Sequence, residues 1–402
     1  MTKILISAGE ASGDLHAGAV TEAIKQLDKD AEVFGMGGDA LRKAGGEVLF
    51  DIKDHSVMGL LPVIKKLPSI IKLMCDFVRV IDERKPDCLI TIDYPGFNME
   101  LAKVCQRKGI PVVSFIAPSA WAWKKDRAKK VSKFIDVVAS IFPFERDVYL
   151  AAGANVEFVG HPLLDIVHPT MSRTEAESWV GKRAGHRLVV LMPGSRPKEI
   201  NNMLPIFIKT AQLIKEKMPD VDFAMPKAKT ISKDVLEKSI KESGLEIKLI
   251  EGHNYDLFSV ADIAVAKSGT VTLEAALCDL GSVIVYKTDP IFYNIAKLVV
   301  KIPLISLPNI IADREVLPEL IQDAFTPENT ALNVEKLLEP HRNKKMHEDL
   351  AEVKARLGEK GAVKRVAELA LKHAQGSKNH KPKITWAGLL LETVMYFAKE
   401  KK

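Results

Sequence analysis

One alternation, run twice, constrains this chain more than anything else in it. Short, continuously apolar runs alternate with longer amphipathic segments. Lys3–Ser7 predicts a strand and Leu15–Leu27 a helix; Glu32–Met36 is a second strand, ending in Gly35-Met36-Gly37-Gly38. Cys88–Ile92 is a strand that runs into Asp93 and the helix Met99–Lys108, and Pro111–Ile116, Val137–Ser140 and Val156–Val159 continue the series. The segment Pro162–Gly185 is polar and predicts a linker. The pattern then restarts with strands Leu188–Leu191, Asp222–Met225, Ile247–Ile250, Ile263–Ala266 and Val283–Tyr286, with a helix over Ile200–Met218. Helical segments follow from Pro327 to Ala374. Uninterrupted apolar strands between helices imply parallel sheets covered on both faces, so the fold class is α/β with two doubly wound halves.

A length of 402 residues accommodates two or three domains with ample core. With 47% hydrophobic and 27% charged residues, disordered and fibrous classes are excluded. A net charge of +6 is too mild to argue for nucleic acid. From Gly376 to Lys402, six lysines stand against two glutamates, so the excess points to a local anionic contact of the tail. Cys75, Cys88, Cys105 and Cys278 form no C-x-x-C pair and lie in apolar runs, as expected of buried thiols in a reducing compartment. No secretory leader and no spanning stretch is read, which predicts a cytoplasmic protein, peripherally membrane-bound at most.

Open α/β sheets bind ligands at the carboxyl ends of their strands, and two such sheets would hold a ligand in the cleft between them. The loops there carry the candidate chemistry. Ser7-Ala8-Gly9-Glu10-Ala11-Ser12-Gly13-Asp14-Leu15-His16 suits an anion at a helix N-terminus, or equally a tight turn capped by Ser12 or Asp14. It is not the dinucleotide fingerprint G-x-G-x-x-G. Asp93, within Ile92-Asp93-Tyr94-Pro95-Gly96-Phe97-Asn98, could accept a proton or merely satisfy local amides. Trp121 and Trp123, in Pro118-Ser119-Ala120-Trp121-Ala122-Trp123, offer planes for a sugar or acyl chain, or for core packing.

In the second half, Pro193-Gly194-Ser195-Arg196 makes a phosphate site at a helix start, or a surface ion pair. Ser268-Gly269-Thr270 repeats that design, with Glu274 one turn into the next helix, in reach of a ribose diol. Asn309 and Gln322 form a third polar cluster that suits substrate contacts or turns. No metal-ligand pattern stands out.

Apolar stretches with interspersed lysines run from Val57 to Met74, including Met58, Leu60 and Leu61, and from Ile291 to Leu307. Each reads as a core helix or as an acyl groove at a bilayer interface. The tail, with Trp386 and Leu389-Leu390-Leu391 between lysine clusters, reads as an interfacial anchor or a partner-packing helix.

Taken in order, these motifs resemble lipid-A-disaccharide synthase. So do Phe142-Pro143-Phe144-Glu145, Gly160-His161-Pro162-Leu163 and Leu307-Pro308-Asn309, and the likeness runs from about Lys3 to Ala374. Ala117, where the family pattern has Ser, and Lys124, where it has Arg, are departures. The tail beyond Gln375 has no counterpart. The resemblance implies a GT-B fold: two Rossmann-like domains facing a cleft, plus a C-terminal helical tail. It implies a metal-independent, cofactor-free inverting glycosyltransferase at the inner face of the inner membrane. Residues 1–168 would form the acceptor and membrane-side domain, 169–375 the UDP-sugar domain with closing helices, and 376–402 a basic amphipathic tail.

The implied donor is UDP-2,3-diacylglucosamine and the implied acceptor 2,3-diacylglucosamine 1-phosphate. An anionic membrane surface is the further partner, nucleic acid is not, and a homo-oligomer is left open. Asp93 is the expected base, with Glu10 second. Arg196 and the amides near Gly194-Ser195 and Ser268-Gly269-Thr270 would stabilise the departing diphosphate, Glu274 the ribose, and Asn309 and Gln322 donor-side groups. Ser12, Met58, Leu60, Leu61, Trp121 and Trp123 fall to the acceptor and its acyl chains. The competing readings are another GT-B enzyme, either a peptidoglycan glucosaminyl transferase or a UDP-N-acetylglucosamine 2-epimerase, and a two-domain ligand-binding protein without turnover.

Overall fold

From Ile4 to Ala8 no side chain of the first strand, Lys3–Ala8 (β1), reaches solvent, and Cys88–Ile92 (β4) is buried throughout. Such strands need cover on both faces, and the fold supplies it. The computed structural model describes residues 1–55, 67–117, 125–289, 293 and 303–376. The chain divides into two units: residues 1–162 with the chain from Glu359 onward, and Leu163–Gly358.

In the first unit β1 and β4 are joined by Glu32–Gly37 (β2), Glu47–Asp51 (β3), Val112–Phe115 (β5), Val137–Ser140 (β6) and Val156–Phe158 (β7). The sheet runs in the order β3-β2-β1-β4-β5-β6-β7, and every pairing is parallel. Leu5, Phe34, Leu89, Val112 and Val138 look to one face. There they pack with Ile70, Leu73, Met74 and Phe77 of the helix Leu67–Arg84 and with Phe97 and Leu101 of the helix Pro95–Arg107. The described end of the apolar stretch around Met74 is therefore core, which corrects the acyl-groove reading for that part. Met58, Leu60 and Leu61 lie outside the described residues, as do Trp121, Trp123 and the tail from 377.

The second unit repeats the plan with Arg187–Met192 (β8), Val221–Pro226 (β9), Ile247–Ile250 (β10), Ile263–Lys267 (β11), Ser282–Tyr286 (β12) and Glu319–Ile321 (β13). Its order is β10-β9-β8-β11-β12-β13, again all parallel. In each sheet the winding reverses once, between β1 and β4 and between β8 and β11. Open α/β sheets bind ligands at such reversals, beyond the carboxyl ends of those strands.

Two sequence expectations change. Pro162–Gly185 is not an open linker. It holds the helices Leu163–Ile166 and Arg173–Val180, the second opened by a reciprocal Ser172–Glu175 capping box. Asp256 fastens it by accepting from the amides of Thr170 at 2.6 Å and Met171 at 2.7 Å. The helix Ala362–Gly376, expected among the closing helices of the second domain, packs instead on the first unit, against the helix Ala11–Leu27, β1, β4 and β5. Its face of Ala362, Val366, Ala367, Leu369, Ala370 and Ala374 is buried there, and Arg365 Nε donates to the Val159 carbonyl at 2.8 Å.

Candidate active site

At the first reversal, β1 delivers Gly9-Glu10 and β4 delivers Asp93-Tyr94. Glu10 is the N-cap of the helix Ala11–Leu27, which starts earlier than its periodicity suggests, and makes no side-chain capping bond. Ser12 is exposed in the first turn. Asp14, an expected cap of its own helix, does a different job. Its carboxylate accepts from the amides of Gly38 at 2.6 Å, Ala40 at 2.9 Å and Leu41 at 3.2 Å, and so caps the helix Asp39–Lys43 from outside. Gly9 has a steric reason: a Cβ there would stand 2.3 Å from the Tyr94 ring.

Asp93 and Tyr94 both lie in the left-handed region, with φ of 48° and 51°, and Ile116 at the end of β5 does so at 55°. Asp tolerates that region, but Tyr and Ile do so at a cost of about 1–3 kcal/mol each, the kind of strain that collects at functional sites. Buried Asn98 holds the turn. Its Nδ2 donates to the carbonyls of Asp93 at 2.6 Å, Ser7 at 3.2 Å and Ile92 at 3.3 Å, while its Oδ1 accepts from the Ser7 hydroxyl at 2.6 Å. Burial pushes the half-buried Asp93 carboxyl up, only partly offset by a bond from the Tyr94 amide. Burial, and then the charge of Glu10, push the Tyr94 phenol up.

Two histidines to which the sequence assigned no role of their own stand nearby. His16 meets Phe115 edge-on at 5.8 Å, and His161 lies against Phe142 at 4.8 Å. Burial lowers both, and His16 further depresses His161, to about 3.

At the second reversal a cavity of about 410 Å³ lies within the second unit, walled by the loops after β8 and β11 and by Pro226, Asn254 and Phe258. Gly194, Ser195, Arg196, Gly269, Thr270 and Glu274 all line it. Ser268 is absent from this wall, because its hydroxyl donates to the Ile305 carbonyl at 2.9 Å. The cavity also brings in Glu199 and Lys267, which sequence reasoning missed. Glu199 Oε2 accepts from the amides of Ser195 at 3.1 Å and Arg196 at 3.2 Å, and Oε1 lies 3.0 Å from Lys267 Nζ. The Ser195 amide, expected to face a diphosphate, is thus occupied by Glu199. Burial works against ionisation of Glu199, yet Lys267 and the two amides together hold its carboxyl below the ordinary value. Gly194 has φ of 127°, and a Cβ there would lie 2.7 Å from Glu199 Oε2. Glu274 accepts from the Tyr255 hydroxyl, and burial pushes its carboxyl up; Tyr255 is pushed to about 12 by burial and then by Glu274.

Asn309 and Gln322 are corrections. Asn309 is fully buried, and its amide is spent on the fold. It donates to Leu317 O and Glu319 Oε1, both at 2.8 Å, and accepts from the amides of Val316 at 2.8 Å and Leu317 at 2.9 Å. Gln322 is buried too and pairs with the Thr288 main chain, accepting at 2.7 Å and donating at 3.1 Å. Neither lines the cavity.

The family described as lipid-A-disaccharide synthetase matches residues 4–373. The chain belongs to the lipid-A-disaccharide synthase family. The lipid-A-disaccharide synthase of Geobacter sulfurreducens is 41% identical over 371 residues, 92% of this chain and 96% of that one. The Syntrophus aciditrophicus synthase is 40% identical over 370 residues, 92% and 97% of the two chains. Among solved structures, the UDP-GlcNAc 2-epimerase of Neisseria meningitidis bound to UDP-GlcNAc superposes with a TM-score of 0.62 at 14% identity, covering 92% of this chain and all of that one. Acinetobacter baumannii MurG gives 0.58 at 15%, covering 92% and 99%. At such identity these structures establish the architecture, GT-B, and family membership makes this member of the lipid-A-disaccharide synthase family a glycosyltransferase.

Proposed function

We propose that the chain transfers 2,3-diacylglucosamine from UDP-2,3-diacylglucosamine to the 6-hydroxyl of 2,3-diacylglucosamine 1-phosphate, giving the β-1,6-linked disaccharide 1-phosphate and UDP. The observation that carries this reading is the family match over residues 4–373. The first unit takes the acceptor and the second the donor, with the tail beyond 376 at an anionic membrane surface on the inner face of the inner membrane. No described helix is long and apolar enough to cross a membrane.

The chemistry is one in-line displacement at the anomeric carbon. Asp93 takes the proton of the attacking hydroxyl, and a carboxylate raised by burial is better matched to that task than an ordinary one. Glu10, across the same strand reversal, is the second candidate. Negative charge grows on the leaving diphosphate, which the cavity of the second unit receives. Arg196 and the turn Gly269-Thr270 stabilise it, and loss of one such donor costs about 2.7–4 kcal/mol in the barrier. Glu274 holds the ribose.

The test is UDP release from the acylated donor and acceptor in detergent micelles, comparing wild type with Asp93→Ala. A disaccharide product that disappears in the variant supports both reaction and base. Turnover surviving in the variant moves the base to Glu10. Consumption of a non-acylated UDP-sugar alone overturns the lipid reading.

A further inference from the structure

Lys267 ends β11 on the wall of the 410 Å³ cavity, with its side chain only 18% exposed. Arg196, the cation that sequence alone singles out, is 72% exposed. An ideal Cβ on Gly269 would stand 3.9 Å from Lys267 Nζ, so the ammonium lies over the N-cap of the helix Thr270–Leu277. Glu199, its partner at 3.0 Å, belongs to the first turn of the helix Pro197–Lys217. A cation therefore sits beside the starts of two helices, each equivalent to about half a positive charge. That is the wrong sign for such a place unless anions compensate. Glu199 offsets Lys267 itself. Of the other charged groups on this wall, Lys227 has its own partner in Glu251 at 3.7 Å, and Glu274 bonds to Tyr255. Arg196 Nη1 lies 3.7 Å from the same Glu199, so around that one carboxylate stand two cations and two helix starts, a local positive excess. A group with two or more negative charges would neutralise it, and a cation held away from water attracts such a group more strongly than an exposed one does.

We propose that Lys267 contacts the diphosphate of the donor in this cavity. The inference rests on the reading of the cavity as the nucleotide-sugar site. Calorimetric titration of the full chain with UDP and with uridine tests it in wild type, Lys267→Met and Lys267→Arg. The expected result is UDP binding weakened tenfold or more by Lys267→Met, uridine binding changed less than twofold, and UDP binding by Lys267→Arg within fivefold of wild type. UDP binding unchanged in Lys267→Met overturns the proposal while leaving the site reading intact. Parallel weakening of UDP and uridine overturns it as well, because the side chain would then serve the fold or the nucleoside. A wild-type chain that binds neither ligand removes the site reading, and the proposal with it.

Discussion

The side-chain amide of Asn98 donates to the main-chain carbonyl of Asp93 at 2.6 Å, so one buried residue fixes the backbone that aims the expected base. The same amide reaches Ser7 and Ile92, tying the ends of β1 and β4 together at the point where the sheet reverses. Asn98→Ala leaves several buried polar groups unpaired, at about 1–3 kcal/mol each. The expected outcome is a lower melting temperature together with kcat reduced at least tenfold. Donor KM should stay within threefold, because the cavity of the second unit is untouched.

Burial of Asp93 has a cost in stability. Its carboxyl is raised by burial, so the unfolded chain, with an aspartate near 3.9, gives up its proton at lower pH than the folded one. Stability is therefore lost as pH rises from about 3.9 through the folded value, and stays lower above it. Asp93→Asn, which keeps the left-handed turn, should melt higher than wild type at pH 7 and no higher below pH ~3.9. The same shift should carry the acid limb of the wild-type kcat/KM profile to higher pH than an ordinary aspartate gives. A limb at or below the ordinary value would remove Asp93 as the base.

His161 sets an opposite slope. Buried neutral and depressed to about 3, it takes up a proton near 6.5 only when the first unit unfolds. Stability should be fully present above pH ~6.5 and decline as pH falls toward the folded value. His161→Gln should flatten that decline, as read by urea unfolding at pH 7, 6, 5 and 4. An unchanged slope would mean that other groups dominate.

How far the sequence could be read depends on what each position shows of itself. The central strands declare themselves because burial on both faces demands unbroken apolar runs such as Ile4-Leu5-Ile6. The edge strands β3 and β13 are only partly buried and carry no such fully buried run. The ends of the apolar runs mark the loops and helix starts at the two reversals, and Glu10, Asp93, Arg196, Gly269, Thr270 and Glu274 all stand there. Asn309 and Lys267 show the limit. An amide aimed at substrate and one aimed at the main chain look alike in a sequence, and the Lys267–Glu199 pair forms only when β11 is laid beside β8.

Asn309→Ala gives that distinction a number. With its bonds all internal, the loss of activity should follow the loss of folded protein: a destabilisation of about 1–3 kcal/mol for each group left unpaired. The folded fraction should show donor KM within twofold of wild type. A large rise in donor KM at unchanged melting temperature would return Asn309 to the site.

The helix Ala362–Gly376 has a consequence for how the chain is made. The second unit, Leu163–Gly358, is one continuous stretch, whereas the first is finished only by a helix encoded after it. On the ribosome the sheet of Glu10 and Asp93 emerges first, yet waits for the whole of the second unit before β1, β4 and β5 receive their last covering helix. At about 5–20 residues per second that delay lasts tens of seconds. A fragment cut at residue 162 would keep the expected base and still expose the apolar surface on which Val366, Leu369 and Ala370 belong.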